Sequence, residues 1–184
     1  IEYPSPNTNK PLHLGHVRNM LIGNSLSNLL KYAGENVHEV NLNNDRGIHI
    51  CKTMVAYEKW GDGKTPEDNS MKPDHFIGEY YVKFSKEAEE NESLMEEAHE
   101  MLRRWEKGDP TTRELWNQMN TWALEGFKST YEEFGISFEK EYFESNFYQK
   151  GKEKVLEGLK KGIFEEREDG AIIARLEDSH GLPD

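Results

Sequence analysis

The residues richest in chemistry stand near the start of the chain. His13 and His16 are three apart with Gly15 between them, and Lys10 precedes them in the run Ser5-Pro6-Asn7-Thr8-Asn9-Lys10-Pro11-Leu12. Imidazole N–H groups donate hydrogen bonds to anionic oxygens, and a lysine adds a mobile positive charge. A glycine lets a flat base or ribose approach the backbone. At a helix N-terminus, unpaired N–H groups and the positive dipole end already favour anions, so the set suits the phosphates of a nucleoside triphosphate. The same histidines also suit a helix cap and a half-buried surface position, and the residues alone leave both readings open. A metal centre is the poorer fit. The two histidines have no acidic or cysteine third ligand nearby in sequence, and Asp45 and Glu2 are candidates only through the fold.

The surrounding pattern predicts elements that hold such a site. Ile1 to Tyr3 reads as the tail of a strand, and Pro4 to Pro11 as a loop. A helix is predicted from about Leu14 to Tyr32, with Val17, Leu21, Leu26, Leu29 and Leu30 at helical spacing and Gly34 as its C-terminal cap. Val37 to Leu42 alternates like a strand and ends in Asn43-Asn44-Asp45; Ile48 to Trp60 reads as a helix stopped by Gly61. This is the opening of a parallel α/β sheet, with His13 and His16 on the first strand-to-helix loop, where such sheets bind ligands. After Gly63 the chain turns polar and helical. The acidic run through Glu87, Glu89, Glu90, Glu92, Glu96, Glu97 and Glu100 reads as a solvated helix face. Asp109-Pro110 opens a further helix, with Thr111 and Glu114 at capping-box spacing and Leu115, Met119, Trp122, Gly126 and Phe127 on one packing side. Tyr148 to Lys161 reads as a helix closed by Gly162, and Asp169-Gly170 as the turn of a hairpin between 163–167 and 171–176. The expected organisation is an α/β, Rossmann-like nucleotide-binding fold begun by residues 1–60. A mostly helical insertion into, or appendage on, that fold follows over 61–176, and 177–184 starts the return to it.

Composition sets limits. The 184 residues are 35% apolar and 32% charged with a net charge of -12, which argues against a basic nucleic-acid-binding module. No apolar run reaches the length of a membrane span, and the start lacks a signal-peptide pattern. The single cysteine, Cys51, excludes an internal disulfide and a cysteine-cluster zinc site; beside Ile50 in a helix it reads as a core thiol. The expectation is a cytoplasmic protein without membrane contact. The chain reads as an excerpt of a longer one. His38, His49, His75, His99 and His180 read as surface or loop residues, and Asp45 as either an Asx-turn or a ligand residue.

His13-Leu14-Gly15-His16 resembles the HIGH signature of the class I aminoacyl-tRNA synthetases. The longer string Glu2-Tyr3-Pro4-Ser5-Pro6-Asn7, then Lys10-Pro11-Leu12-His13-Leu14-Gly15-His16-Val17-Arg18-Asn19, resembles the arginyl-tRNA synthetase family in particular. Asn41 to Gly47, Gly108-Asp109-Pro110, Leu115-Trp116, Tyr131 to Gly135 and Glu144-Ser145 through Tyr148 extend the likeness over most of the chain. Two positions depart from the family pattern: Arg46 where Trp is common and Asn24 where Asp is common. No KMSKS-like loop is present, which raises interest in Lys10. The resemblance implies a class I synthetase fold that activates arginine with ATP and Mg²⁺ as arginyl-adenylate and passes it to tRNA(Arg). It implies His13, His16 and Lys10 at the phosphates, Gly15 making room for the nucleoside, and Ser5 and Asn7 at the α-amino end of arginine. Glu2 would face the guanidinium, a planar donor fork that suits a carboxylate; the bland alternative is an exposed strand-end residue. Two other readings stay open: another HxGH-type adenylyl-transferring enzyme, or a non-catalytic synthetase-like interaction module. As an incomplete catalytic fragment, the isolated chain is expected to be inactive.

Overall fold

A computed structural model describes residues 1–168 and 170–174. The expected hairpin residue Asp169, His180 and the segment 177–184 lie outside the described residues. The chain divides into two compact units, Ile1–Glu144 and Ser145–Asp184.

In the first unit three parallel segments lie side by side. Glu2 bridges Val40, through Tyr3 N–H to the Val40 carbonyl at 3.0 Å and Val40 N–H to the Ile1 carbonyl at 2.9 Å. Strand β1 (Val40–Asn43) then pairs in parallel with β2 (Lys140–Phe143), Asn41 opposite Glu141 and Asn43 opposite Phe143. A second bridge, Asn7 to Asn44, continues the contact past the end of β1. The strand expected over 37–42 thus begins later and runs to Asn43, because hydrogen-bonding partners on both sides, not alternation, set its limits. Residues 140–143 add a parallel strand to this sheet after the intervening helices.

Helix α1 (Leu14–Tyr32) matches its expected bounds. Its C-terminus closes as a Schellman motif, with Gly34 at φ 92° and Glu35 N–H bonding the Leu30 carbonyl at 3.0 Å. Its packing face differs from expectation. Leu21, Leu26 and Leu29 are exposed, together with Leu14 and Ile22, and the residues turned inward are Met20, Gly23 and Ser27. The cause is close approach: a Cβ on Gly23 would lie 2.4 Å from the Tyr3 ring, so this seam takes small side chains. Tyr3 in turn donates to Glu39 at 2.6 Å, and Glu39 pairs with Lys31 near the end of α1.

Helices α2 (Ile48–Trp60), α3 (Pro73–Glu90), α4 (Ser93–Glu106) and α5 (Pro110–Glu133) share a core around Met54, Phe76, Phe84, Met101 and Trp122. Rings of Tyr57, Phe76 and Trp122 meet edge to face at 5.6–6.2 Å. The N-cap of α5 is Asp109, whose carboxylate accepts from Thr112 N–H at 2.9 Å and from its hydroxyl at 2.7 Å. The expected Thr111/Glu114 box does not form, because Pro110 occupies the first helical position and Thr111 is already inside. Farther along α5, Phe127 and Tyr131 leave that core for a second one with Tyr3, Met20 and Ile136. One helix therefore braces both the helical layer and the sheet. Among the described residues no helix is long and apolar enough to cross a membrane.

In the second unit, α6 spans Tyr148–Lys160, one residue short of the expected end. Strands β3 (Glu165–Glu166) and β4 (Ile172–Ile173) pair antiparallel, as the Gly170 turn signal predicts. Gly158 packs beneath Phe164; a Cβ there would meet the ring at 2.2 Å.

Candidate active site

His13 is the N-cap of α1, in extended conformation. Its Nδ1 accepts from Gly15 N–H at 3.1 Å, and His13 N–H donates to Nδ1 of His16 at 3.1 Å. The two rings lie 4.0 Å apart between centroids, tilted by 40°. Each Nδ1 is thus an acceptor, so each neutral ring carries its proton on Nε2, as an N–H donor not used by the cap. The cap reading holds for both rings: a backbone N–H occupies one nitrogen of each and leaves the other outside the cap. Burial, then the neighbouring His13, then Lys10 lower the His16 pKa to about 4. Its imidazole is a neutral donor at physiological pH. Gly15 allows the fold-back, since even its missing Cβ would sit 3.0 Å from Cε1 of His13.

The other expected residues divide between two clefts. Glu2 and Ser5 line one of ≈ 390 Å³ with Asn19, Ile22, Gly23 and Leu26 of α1. The Ser5 hydroxyl donates to the Glu2 carboxylate at 2.7 Å and accepts from Leu42 N–H at 3.3 Å. Asn7 lines a different cleft, of ≈ 350 Å³, with Asn44, Gly47, His49 and Glu144. His49, exposed as expected, meets the Tyr81 hydroxyl through Nδ1 at 3.1 Å, and burial, Lys52 and Lys10 lower its pKa. A third groove, of ≈ 430 Å³ between Pro11 and α3, contains none of the expected site residues.

The turn after β1 is held from the helical layer. Asp45 is buried, and its carbonyl accepts from the Trp116 indole at 2.6 Å and from Asn120 at 3.3 Å. Arg46 bonds Glu106 at 2.7 Å and sits 5.3 Å from the Trp105 ring, with Glu144 at 3.7 Å. Burial raises the Glu144 pKa, Arg46 lowers it, and Asp45 adds to the rise. Cys51 is buried, and its thiol is pushed up to about 12 by desolvation, which keeps it protonated and inert. Among the described residues no group of three or more His, Cys, Asp or Glu is placed to hold a metal ion.

Sequence reading gave no site role to Asn41, Asn43, Glu141, Trp116 or Asn120. For the first two a signal existed. Two asparagines at strand spacing share one face, where a parallel strand ordinarily carries apolar residues. Both are fully buried. The other three become visible only when the chain is folded.

Residues 1–183 match the family model described as tRNA synthetases class I (R), catalytic domain. An arginine–tRNA ligase of Bacteroides fragilis is 52% identical over 193 residues, covering 96% of this chain and 32% of the relative. One of Treponema denticola is 53% identical over 180 residues, covering 96% and 30%. The chain spans about a third of the length of these curated relatives. Among solved structures, Thermus thermophilus arginyl-tRNA synthetase superposes with a TM-score of 0.74 at 26% identity, over 100% of this chain and 31% of that one.

Proposed function

This chain belongs to the family of class I tRNA synthetase catalytic domains for arginine, and from that membership we propose that it forms the ATP-binding part of an arginine–tRNA ligase acting in the cytoplasm. The reaction runs in two steps. A carboxylate oxygen of arginine attacks the α-phosphorus of ATP, and the bond to pyrophosphate breaks. The arginyl group of the adenylate then passes to the terminal ribose of tRNA(Arg), releasing AMP.

The observation that carries this reading is the pair of Nε2–H donors at the head of α1, each fixed by a backbone bond to its own Nδ1. Donors held in advance stabilise charge as it develops on the phosphates without reorganising. Lys10 supplies positive charge to the same place, and Gly15 leaves room for the nucleoside. Glu2 takes the guanidinium with its carboxylate held by the Ser5 hydroxyl, and Asn7, on the other cleft, serves the α-amino end of arginine. Mg²⁺ enters with ATP as part of the substrate and is given no protein ligand here. Residues 1–60 begin the nucleotide-binding fold, and the helices after them are its insertion.

The test is pyrophosphate exchange across the amino acids, using the full-length protein that carries this segment, with tRNA. Arginine alone should support exchange, and His13→Ala or His16→Ala should lower its rate by ~10²–10³ with little loss of ATP affinity. Exchange with a different amino acid, or unchanged exchange in both variants, overturns the reading.

A further inference from the structure

Behind Glu2 and Ser5 lies a polar relay that crosses the sheet. The Asn41 side-chain carbonyl accepts from Ser5 N–H at 3.1 Å. Its amide nitrogen donates to the Glu141 carboxylate of β2 at 3.1 Å and to the Asn43 side-chain carbonyl at 3.3 Å. Asn43 in turn donates to the same Glu141 oxygen at 2.8 Å. Ser5 is held at φ 53°, the left-handed region that a residue with a side chain rarely adopts. The Ser5 hydroxyl then holds the Glu2 carboxylate.

We infer that Asn41 is a positioning residue for the amino-acid pocket, fixing the left-handed Ser5 and through it the carboxylate of Glu2, with Glu141 setting which way the Asn41 amide faces. The inference rests on the reading of Glu2 as the guanidinium partner. The chemistry leaves one orientation. A backbone N–H only donates, so it needs the amide oxygen; an ionised carboxylate only accepts, so it needs the NH₂. Asn41 is fully buried and meets both demands at once. Two fully buried asparagines cost desolvation that only a full set of hydrogen bonds offsets. Asn41 touches no substrate in this scheme. It fixes the angle at which the Glu2 oxygens meet a planar fork, where a small rotation loses one of two parallel bonds.

The experiment measures arginine and ATP binding by calorimetry on the full-length protein, with a thermal melt for each variant. Asn41→Asp keeps the acceptor for Ser5 N–H but sets a second carboxylate against Glu141. Arginine affinity should fall about tenfold, the equivalent of one hydrogen bond, while ATP affinity changes by less than about twofold. Adding Glu141→Gln to Asn41→Asp reverses the polarity of the bond, because the new amide donates to the new carboxylate, and should restore arginine binding. Equal losses for arginine and ATP, or no rescue in the double variant, overturn the inference and leave Asn41 a purely structural residue. Glu2→Gln, measured alongside, separates the two levels. If it weakens arginine binding at least about tenfold and Asn41→Asp does not, the relay alone is wrong. If Glu2→Gln leaves arginine binding unchanged, the pocket reading falls and the relay with it.

Discussion

A histidine whose Nδ1 is occupied by a backbone N–H can lose its outward donor without losing its cap. Asparagine places its carbonyl oxygen close to where Nδ1 sits and is itself a preferred N-cap. His13→Asn should therefore keep the melting temperature near that of the parent while lowering pyrophosphate exchange by ~10²–10³. A loss of stability in proportion to the loss of rate would mean that the ring matters only as a cap. The His16 ring gives a second handle. Its folded pKa of about 4 lies below the unfolded value, so the unfolded chain takes up a proton first as the solution is acidified. This contribution to stability is present above about pH 6.5 and is lost as pH falls towards 4. An NMR titration should find the His16 ring still neutral at about pH 5, and a midpoint near 6.5 would contradict the burial and the cap bond together.

Two glycines set how the elements meet. Gly23 lets α1 lie against Tyr3, and Gly78 lets α3 lie against Pro11, whose Cδ would be 2.5 Å from an added Cβ. Gly23→Ala should destabilise by about 1–3 kcal/mol, because the ring it meets is buried between Gly23 and Phe138. Gly78→Ala should have the smaller effect on melting and the larger one on exchange, since Pro11 is the neighbour of Lys10 and can shift only by moving that loop. Both effects are read by thermal melts beside exchange assays. This is also where the sequence was least transparent. The bounds of α1 and α2 were readable because glycines and polar turns punctuate them. The buried face of α1 was not, because counting leucines finds a hydrophobic stripe, whereas a seam this close is lined by Met20, Gly23 and Ser27. The histidine motif and Glu2 were legible as residue types. The cap bonds that fix the two rings show only once the head of α1 is folded, and the bonds behind Ser5 join Asn41 to Glu141, a hundred positions apart in the chain.

At the scale of the whole molecule, both apolar cores and the parallel sheet draw, among the described residues, only on the unit Ile1–Glu144. Residues 1–144 alone should therefore give a cooperative melt and retain far-UV helical signal. A chain that stays unfolded by both measures would show that the unit needs residues beyond Glu144 in order to fold. The 184 residues, spanning about a third of their relatives, should give no arginine-dependent exchange by themselves; measurable exchange would show that the site is complete within them. The parallel pairing of β1 with β2 carries a further consequence, in time. Val40 meets Lys140, so the strand leaves the ribosome long before its partner exists. At roughly 5–20 residues per second, synthesis takes about 5–20 s to cover that distance. Throughout that interval the amides of Asn41 and Asn43 are without Glu141. Vectorial synthesis thus supplies α1 to α5 before β2, so a pause placed between β1 and β2 lengthens the time for which the Asn41 and Asn43 amides have no Glu141 to bond.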